Sequence, residues 1–263
     1  MKIWQAPLRS LYSLSFYKEV LGFSLSTGLA YLGFLSFLAS IFAGIAFNAR
    51  STPEIREFTA WLKASAPKLE MTAEGLRMDA PSPYVMTHPR FGPIITIDLS
   101  KTSAEEKDFS TGGLLFLTKN RGFLHGARGI RAFDFKVEDK NFKPFPITGE
   151  TYEKFAKILR GFLLGAVPLA VFLFFFIWKF TLALFYSLLA RILNSFRREP
   201  LPYETLLNLC FFAMTAYVLI EFLTLFIPRF QIRGEFFTGL AVTGLYLGIA
   251  IIKTEPPLPV ERY

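Results

Sequence analysis

From Gly161 to Phe196 the chain reads GFLLGAVPLAVFLFFFIWKFTLALFYSLLARILNSF, and this stretch limits the fold more than any other. No charge occurs between Gly161 and Trp178, and Lys179 is the only one before Arg191. Crossing the hydrocarbon core of a bilayer takes roughly 20 mostly apolar residues. A backbone in hydrocarbon must satisfy its own hydrogen bonds, so the stretch is predicted to be a spanning helix with length to spare. Either Lys179 lies within the membrane, or the span ends near Trp178 and an amphipathic helix continues along the cytoplasmic surface.

Three other apolar runs accompany it. The predicted spans cover residues 24–47, 161–190, 204–227 and 236–252. Between the first two lies a polar segment, 48–160, too charged to cross a membrane. Short loops occupy 191–203 and 228–235, and a proline-rich tail occupies 253–263. The lead, 1–23, places Trp4, Leu8, Leu11, Tyr12, Phe16, Val20 and Phe23 mostly three and four residues apart. That spacing predicts an amphipathic helix lying at the membrane surface rather than a cleaved signal peptide.

Composition fits this reading. Apolar residues make up 52% of the chain and charged residues 19%, below the roughly 25% usual for soluble domains. The formal charge of +8 is read as cytoplasmic boundary charge, and no nucleic-acid partner is expected. Lys2, Arg9, Lys18, Arg191, Arg197, Arg198, Lys253 and Arg262 fall on one side of the spans, against Arg229 and Arg233 on the other. Both termini are therefore expected in the cytoplasm and the 48–160 domain outside. The single cysteine, Cys210, excludes an internal disulfide.

In the polar segment, Ser51 and Glu54 match a capping box and Pro53 suits a first turn, which predicts a short helix over 53–66. Ile55, Phe58, Trp61 and Leu62 would form its buried face. Strands are predicted over 68–72, 76–79, 94–99, 114–118, 122–125 and 130–137, with a hairpin turn at Ala73-Glu74-Gly75. Residues 80–93, with four prolines, are expected to be irregular. The fold class is thus an α+β membrane protein: four transmembrane helices with an inserted extracytoplasmic domain of a short helix on an antiparallel sheet.

Motifs for chemistry are scarce. No phosphate loop, GxSxG elbow or HExxH occurs. His88 and His125 lack carboxylates at ligand spacing, Asp98 sits at a strand end, and Glu105, Glu106 and Asp108 form a solvated acidic cluster. No catalytic residue, metal site or cofactor is expected. What stands out is an ionisable residue in each of two spans, Lys179 and Glu221, because such groups are costly in lipid and often functional. Lys179 lies 12 residues above Arg191 and Glu221 lies 17 above Glu204. At about 1.5 Å per residue the two differ in height by about 8 Å, so a pair needs a favourable register. Small residues at Ser36, Ser40 and Gly44, and the pairs Gly161/Gly165 and Gly244/Gly248, are candidates for close helix packing.

Four stretches carry a family resemblance: SLYSLSFYKEVLGFSLSTGLAYLGFLSFL, APKLEMTAEGLRMDAP, IITIDLSKT with GGLLFLTKNRGF, and PYETLLNLCFFAMTAYVLIEFL. Together they resemble the bacterial membrane-protein family known as domain of unknown function 1189, which includes a protein annotated with maltodextrin utilisation. The resemblance implies four spans and an extracytoplasmic domain, and supplies no site residues. The expectation is a non-enzymatic accessory or interaction protein of the bacterial cytoplasmic membrane. The alternative is a transport or channel component using Lys179 and Glu221. Expected partners are membrane lipids and either another membrane protein or a second copy of the chain.

Overall fold

The computed structural model describes residues 3–109, 113–135, 142–226 and 235–254. Most of the expected 228–235 loop and of the 253–263 tail lies outside the described residues. The chain divides into two compact units, Met1–Arg50 with Leu163–Tyr263, and Ser51–Phe162. It is α+β, and four of its described helices are long and apolar enough to cross a membrane.

In the first unit the lead forms two short helices, α1 (Ala6–Tyr12) and α2 (Leu14–Val20), rather than one. Ser13 divides them, because its hydroxyl accepts from the Phe16 amide and so caps α2. Helix α3 spans Leu25–Ser65, α4 Gly149–Asn194, α5 Tyr203–Ala213, α6 Thr215–Phe226 and α7 Glu235–Lys253. Met214 interrupts the third apolar run, where the Thr215 hydroxyl donates to the Phe212 carbonyl and perturbs the helical ladder. Every residue from Leu206 to Thr215 is buried, so α5 is hydrophobic all round and forms the centre of its unit. Phe212 stacks on Tyr31 of α3 at 4.2 Å and meets Phe16 of α2 edge-on at 5.4 Å. The Asn208 amide donates to the Phe23 carbonyl at 2.8 Å, satisfying the chain where α2 hands over to α3. Gly28 permits that approach, since a Cβ there would lie 2.2 Å from the Asn208 Oδ1.

Sequence reasoning placed a separate helix at 53–66; instead α3 continues through Pro53 for 41 residues. A proline inside a helix costs about 3 kcal/mol. Packing on both sides of it offsets that cost: Leu32, Leu35 and Ala39 are buried before it, and Trp61 after it. Helix α4 is also unbroken, running through Pro168 and Lys179 for 46 residues, about 69 Å at the helical rise.

Among the described residues the second unit holds two sheets, not the single antiparallel one expected. Strands β1 (Leu69–Thr72), β2 (Gly75–Met78) and β8 (Phe145–Ile147) form one sheet in the order β2-β1-β8. Strands β3 (Tyr84–His88), β4 (Gly92–Ile97), β5 (Leu115–Leu117), β6 (Arg121–Gly126) and β7 (Gly129–Asp134) form the other, in sequence order. The β4–β5 pair is parallel, because the long connection between them returns the chain to the same end. Strands β3 and β8 were not foreseen. Both are edge strands beside prolines, and an edge is where proline is tolerated. Gly75 has φ +116°, and its missing side chain admits the Lys119 carbonyl, which accepts from the Leu76 amide at 2.6 Å. Trp61, Leu69, Leu76, Met86, Ile94 and Ile97 form the core of this unit.

Candidate functional site

Lys179 of α4 has no exposed surface, and its Nζ donates to Glu221 Oε1 of α6 at 2.6 Å. The ammonium also lies 4.8 Å from the Tyr217 ring and 5.1 Å from that of Phe175, within cation–π range. A low-dielectric interior strengthens such contacts, and losing one partner strands the other charge. Beside the pair is a pocket of about 170 Å³ lined by Trp178, Leu182, Tyr186, Tyr217, Glu221 and Phe236. Gly239 lets two of these side chains approach α7: a Cβ there would lie 2.9 Å from the Tyr217 ring and 3.1 Å from the Tyr186 hydroxyl.

The register that sequence counting left open is closed at the helix ends. The Asn194 side chain donates to the Leu201 carbonyl at 3.1 Å and accepts from its amide at 3.0 Å. This clasp fixes where α4 stops and where α5, starting at Tyr203, begins. Measured from Asn194 and Tyr203, the two charges are 15 and 18 residues along their helices. The height difference falls to about 4.5 Å, which a lysine side chain spans.

The small residues divide into two groups. Ser36 and Ser40 are buried and donate within their own helix, to the Leu32 and Phe37 carbonyls. Gly44 lies against Pro168, where a Cβ would be 2.9 Å from Cγ, and Gly244 lies against Leu189. Nothing among the described residues comes within 4 Å of a Cβ at Gly161, Gly165 or Gly248.

The polar candidates of the second unit are held in structural roles. Asp98 accepts from the Ser82 hydroxyl and from the amide and hydroxyl of Ser100. The Ser100 hydroxyl bond is the largest cause holding its carboxyl below the usual range. His88 is buried, its Nδ1 accepts from the Arg90 amide, and its ring packs among Phe58, Trp61 and Phe91. His125 lies against Phe109, and Glu105 with Asp108 forms a reciprocal cap of a single 3₁₀ turn. No group of three or more potential metal ligands occurs among the described residues.

Sequence reasoning missed a groove in this unit. It measures about 290 Å³ and is walled by Phe58, Leu62, Phe91, Phe155 and Leu159, with Glu54 and Arg90 at its rim. Arg90 binds both carboxylate oxygens of Glu54 at 3.2 Å. Two parts of its wall carried a sequence signal: Phe58 and Leu62, expected on the buried face of the 53–66 helix, and Phe155 with Leu159, four apart just before the expected 161–190 span.

A family model described as "Protein of unknown function (DUF1189)" matches residues 4–251. The chain belongs to that family. No curated protein and no solved structure matches it. The match begins within the lead and ends within α7, so in this DUF1189 chain both the buried pair and the groove fall inside the shared region.

Proposed function

We propose that the chain is a four-span protein of the bacterial cytoplasmic membrane, with both termini inside and residues 48–160 outside. It acts as a non-enzymatic accessory protein whose outer unit binds an apolar ligand or partner. The observation that carries this reading is the aromatic-walled groove of about 290 Å³ in the Ser51–Phe162 unit, close to the lower end of ordinary ligand pockets. The family that the sequence resembles includes a protein associated with maltodextrin utilisation, which makes oligosaccharide uptake the first process in which to seek a partner. Reporters fused after Ile227 and after Tyr263 test the topology: the first is expected outside and the second inside, and the reverse would overturn it.

A second reading, transport through the bundle, is favoured by the Lys179–Glu221 pair beside its pocket. Pure protein in liposomes separates the two. Solute flux abolished by Lys179→Met would establish transport, and absence of flux supports the accessory role.

A further inference from the structure

Helix spacing supplies two walls of the apolar groove in the Ser51–Phe162 unit. Phe58 and Leu62 are four apart on α3, and Phe155 and Leu159 are four apart on α4, so each pair shares a helix face. A third wall comes from the turn between β3 and β4. The Trp61 indole donates to the Thr87 carbonyl at 3.1 Å, which holds the end of β3 against α3. His88, Arg90 and Phe91 are thereby carried onto the groove, with the His88 ring 4.9 Å from those of Trp61 and Phe91.

The charged groups of the lining are two carboxylates, Glu54 and Glu57, and one guanidinium, Arg90. Arg90 is already engaged. It bonds both oxygens of Glu54 at 3.2 Å, and its guanidinium carbon lies 5.2 Å from the centre of the Phe91 ring. The rim thus already seats one cation between an aromatic face and a carboxylate. Glu57 is three residues from Glu54, next to Phe58, and is in no ion pair among the described residues. Lys63 of α3 is taken by Glu153 of α4 at 2.5 Å, and neither lines the groove. The His88 Nδ1 accepts from the Arg90 amide, so in this form the ring adds no charge. One carboxylate beside an aromatic-walled hollow is left unmatched.

We propose that the groove binds a small organic ammonium, with an apolar ring or short chain between Phe58, Phe91 and Phe155 and its positive end at Glu57. The proposal rests on the reading of the groove as a ligand site and gives that ligand its charge. Size selects a small molecule over a polypeptide. A volume of about 290 Å³ is near the low end for small-molecule pockets, whereas a standard protein interface covers about 800 Å² on each partner. An exposed ion pair and a cation–π contact each contribute modestly, so together they favour the cation over its neutral analogue about tenfold.

Trp61 reports occupancy, because its ring lies 5.2 Å from that of Phe58. The test uses full-length protein in detergent with Trp4→Phe and Trp178→Phe, which leaves Trp61 as the single tryptophan. Phenethylammonium, 2-phenylethanol and 3-phenylpropanoate are titrated in turn. A saturable change in Trp61 fluorescence is expected, with the ammonium binding about tenfold tighter than the alcohol and the carboxylate binding weakest. Glu57→Gln should bring the ammonium down to the alcohol, and Glu57→Lys should make the carboxylate the tightest of the three. Glu57 is exposed, so neither change removes a core contact. Equal affinity for ammonium and alcohol, or an order unmoved by Glu57→Lys, would overturn the ammonium assignment and leave the groove as an apolar ligand site. No saturable response to any of the three would overturn both.

Discussion

Helices α4 and the α5–α6 pair are both apolar, and they are apolar for different reasons. The most hydrophobic stretch of α4 has a mean hydropathy of 2.4 and none of it is buried. The corresponding stretch of α5–α6 has 2.0 and is 78% buried. The helix with the higher hydropathy is the exposed one, the pattern expected where lipid rather than water covers a surface. The central helix can afford Asn208, Thr215 and Glu221 because each meets another part of the bundle: the Phe23 carbonyl, the Tyr31 hydroxyl and the Lys179 ammonium. Hydropathy alone therefore does not separate a lipid-facing surface from a core. Where the polar atoms point does.

Substitutions sharpen this contrast, beginning with the strongest. Phe212 is fully buried and Phe174 is 69% exposed. Phe212→Ala should destabilise the protein by about 3–5 kcal/mol, the usual result for an aromatic core truncation, whereas Phe174→Ala should leave thermal unfolding in detergent almost unchanged. Equal losses would erase the distinction between the two helices.

Next in size is the ion pair. Lys179→Met should cost about 3 kcal/mol because it strands Glu221 in the bundle, and adding Glu221→Gln should recover most of that loss. A double-mutant cycle by unfolding checks it, and additive losses would mean the two side chains are uncoupled.

The two glycines give smaller effects, opposite in sign to each other. Gly28→Ala forces a Cβ onto Asn208 and Phe211, with an expected loss of about 1–3 kcal/mol. At Gly165, where nothing lies within 4 Å, alanine should be neutral or stabilise the helix by up to about 1 kcal/mol.

The smallest expected effect concerns Asp98. Its carboxyl is held below the usual range, so its contribution to stability is fully present above about pH 4 and is lost as pH falls through the lower folded value. Acid unfolding of Asp98→Asn should show a shallower slope in that window than the parent protein.

The apolar runs were readable because an uncharged stretch of about 20 residues has few alternatives to a helix. Lys179 and Glu221 stood out for the same reason, as charges where charge is rare. Their register was not readable, since it depends on Asn194 clasping Leu201, a polar contact with no periodic signal. Pro53 suggested a helix start because its local preference is strong, and packing overrode it. Strands β3 and β8 were hidden by the prolines that confine them to edges, and the parallel β4–β5 pairing joins segments too far apart for turn chemistry to betray. The groove escaped notice because Phe155 and Leu159 continue the apolar character of the span that follows them.

The most direct test of the account is whether lipid covers the outer face of α4. Cys210 is buried and is the chain's single cysteine, so Phe174→Cys adds one accessible thiol. In reconstituted bilayers that thiol should react with a lipid-soluble maleimide and resist a membrane-impermeant one, with Cys210 silent to both until the protein is unfolded. Rapid reaction of Phe174→Cys with the impermeant reagent in intact bilayers would place α4 in water and contradict the account.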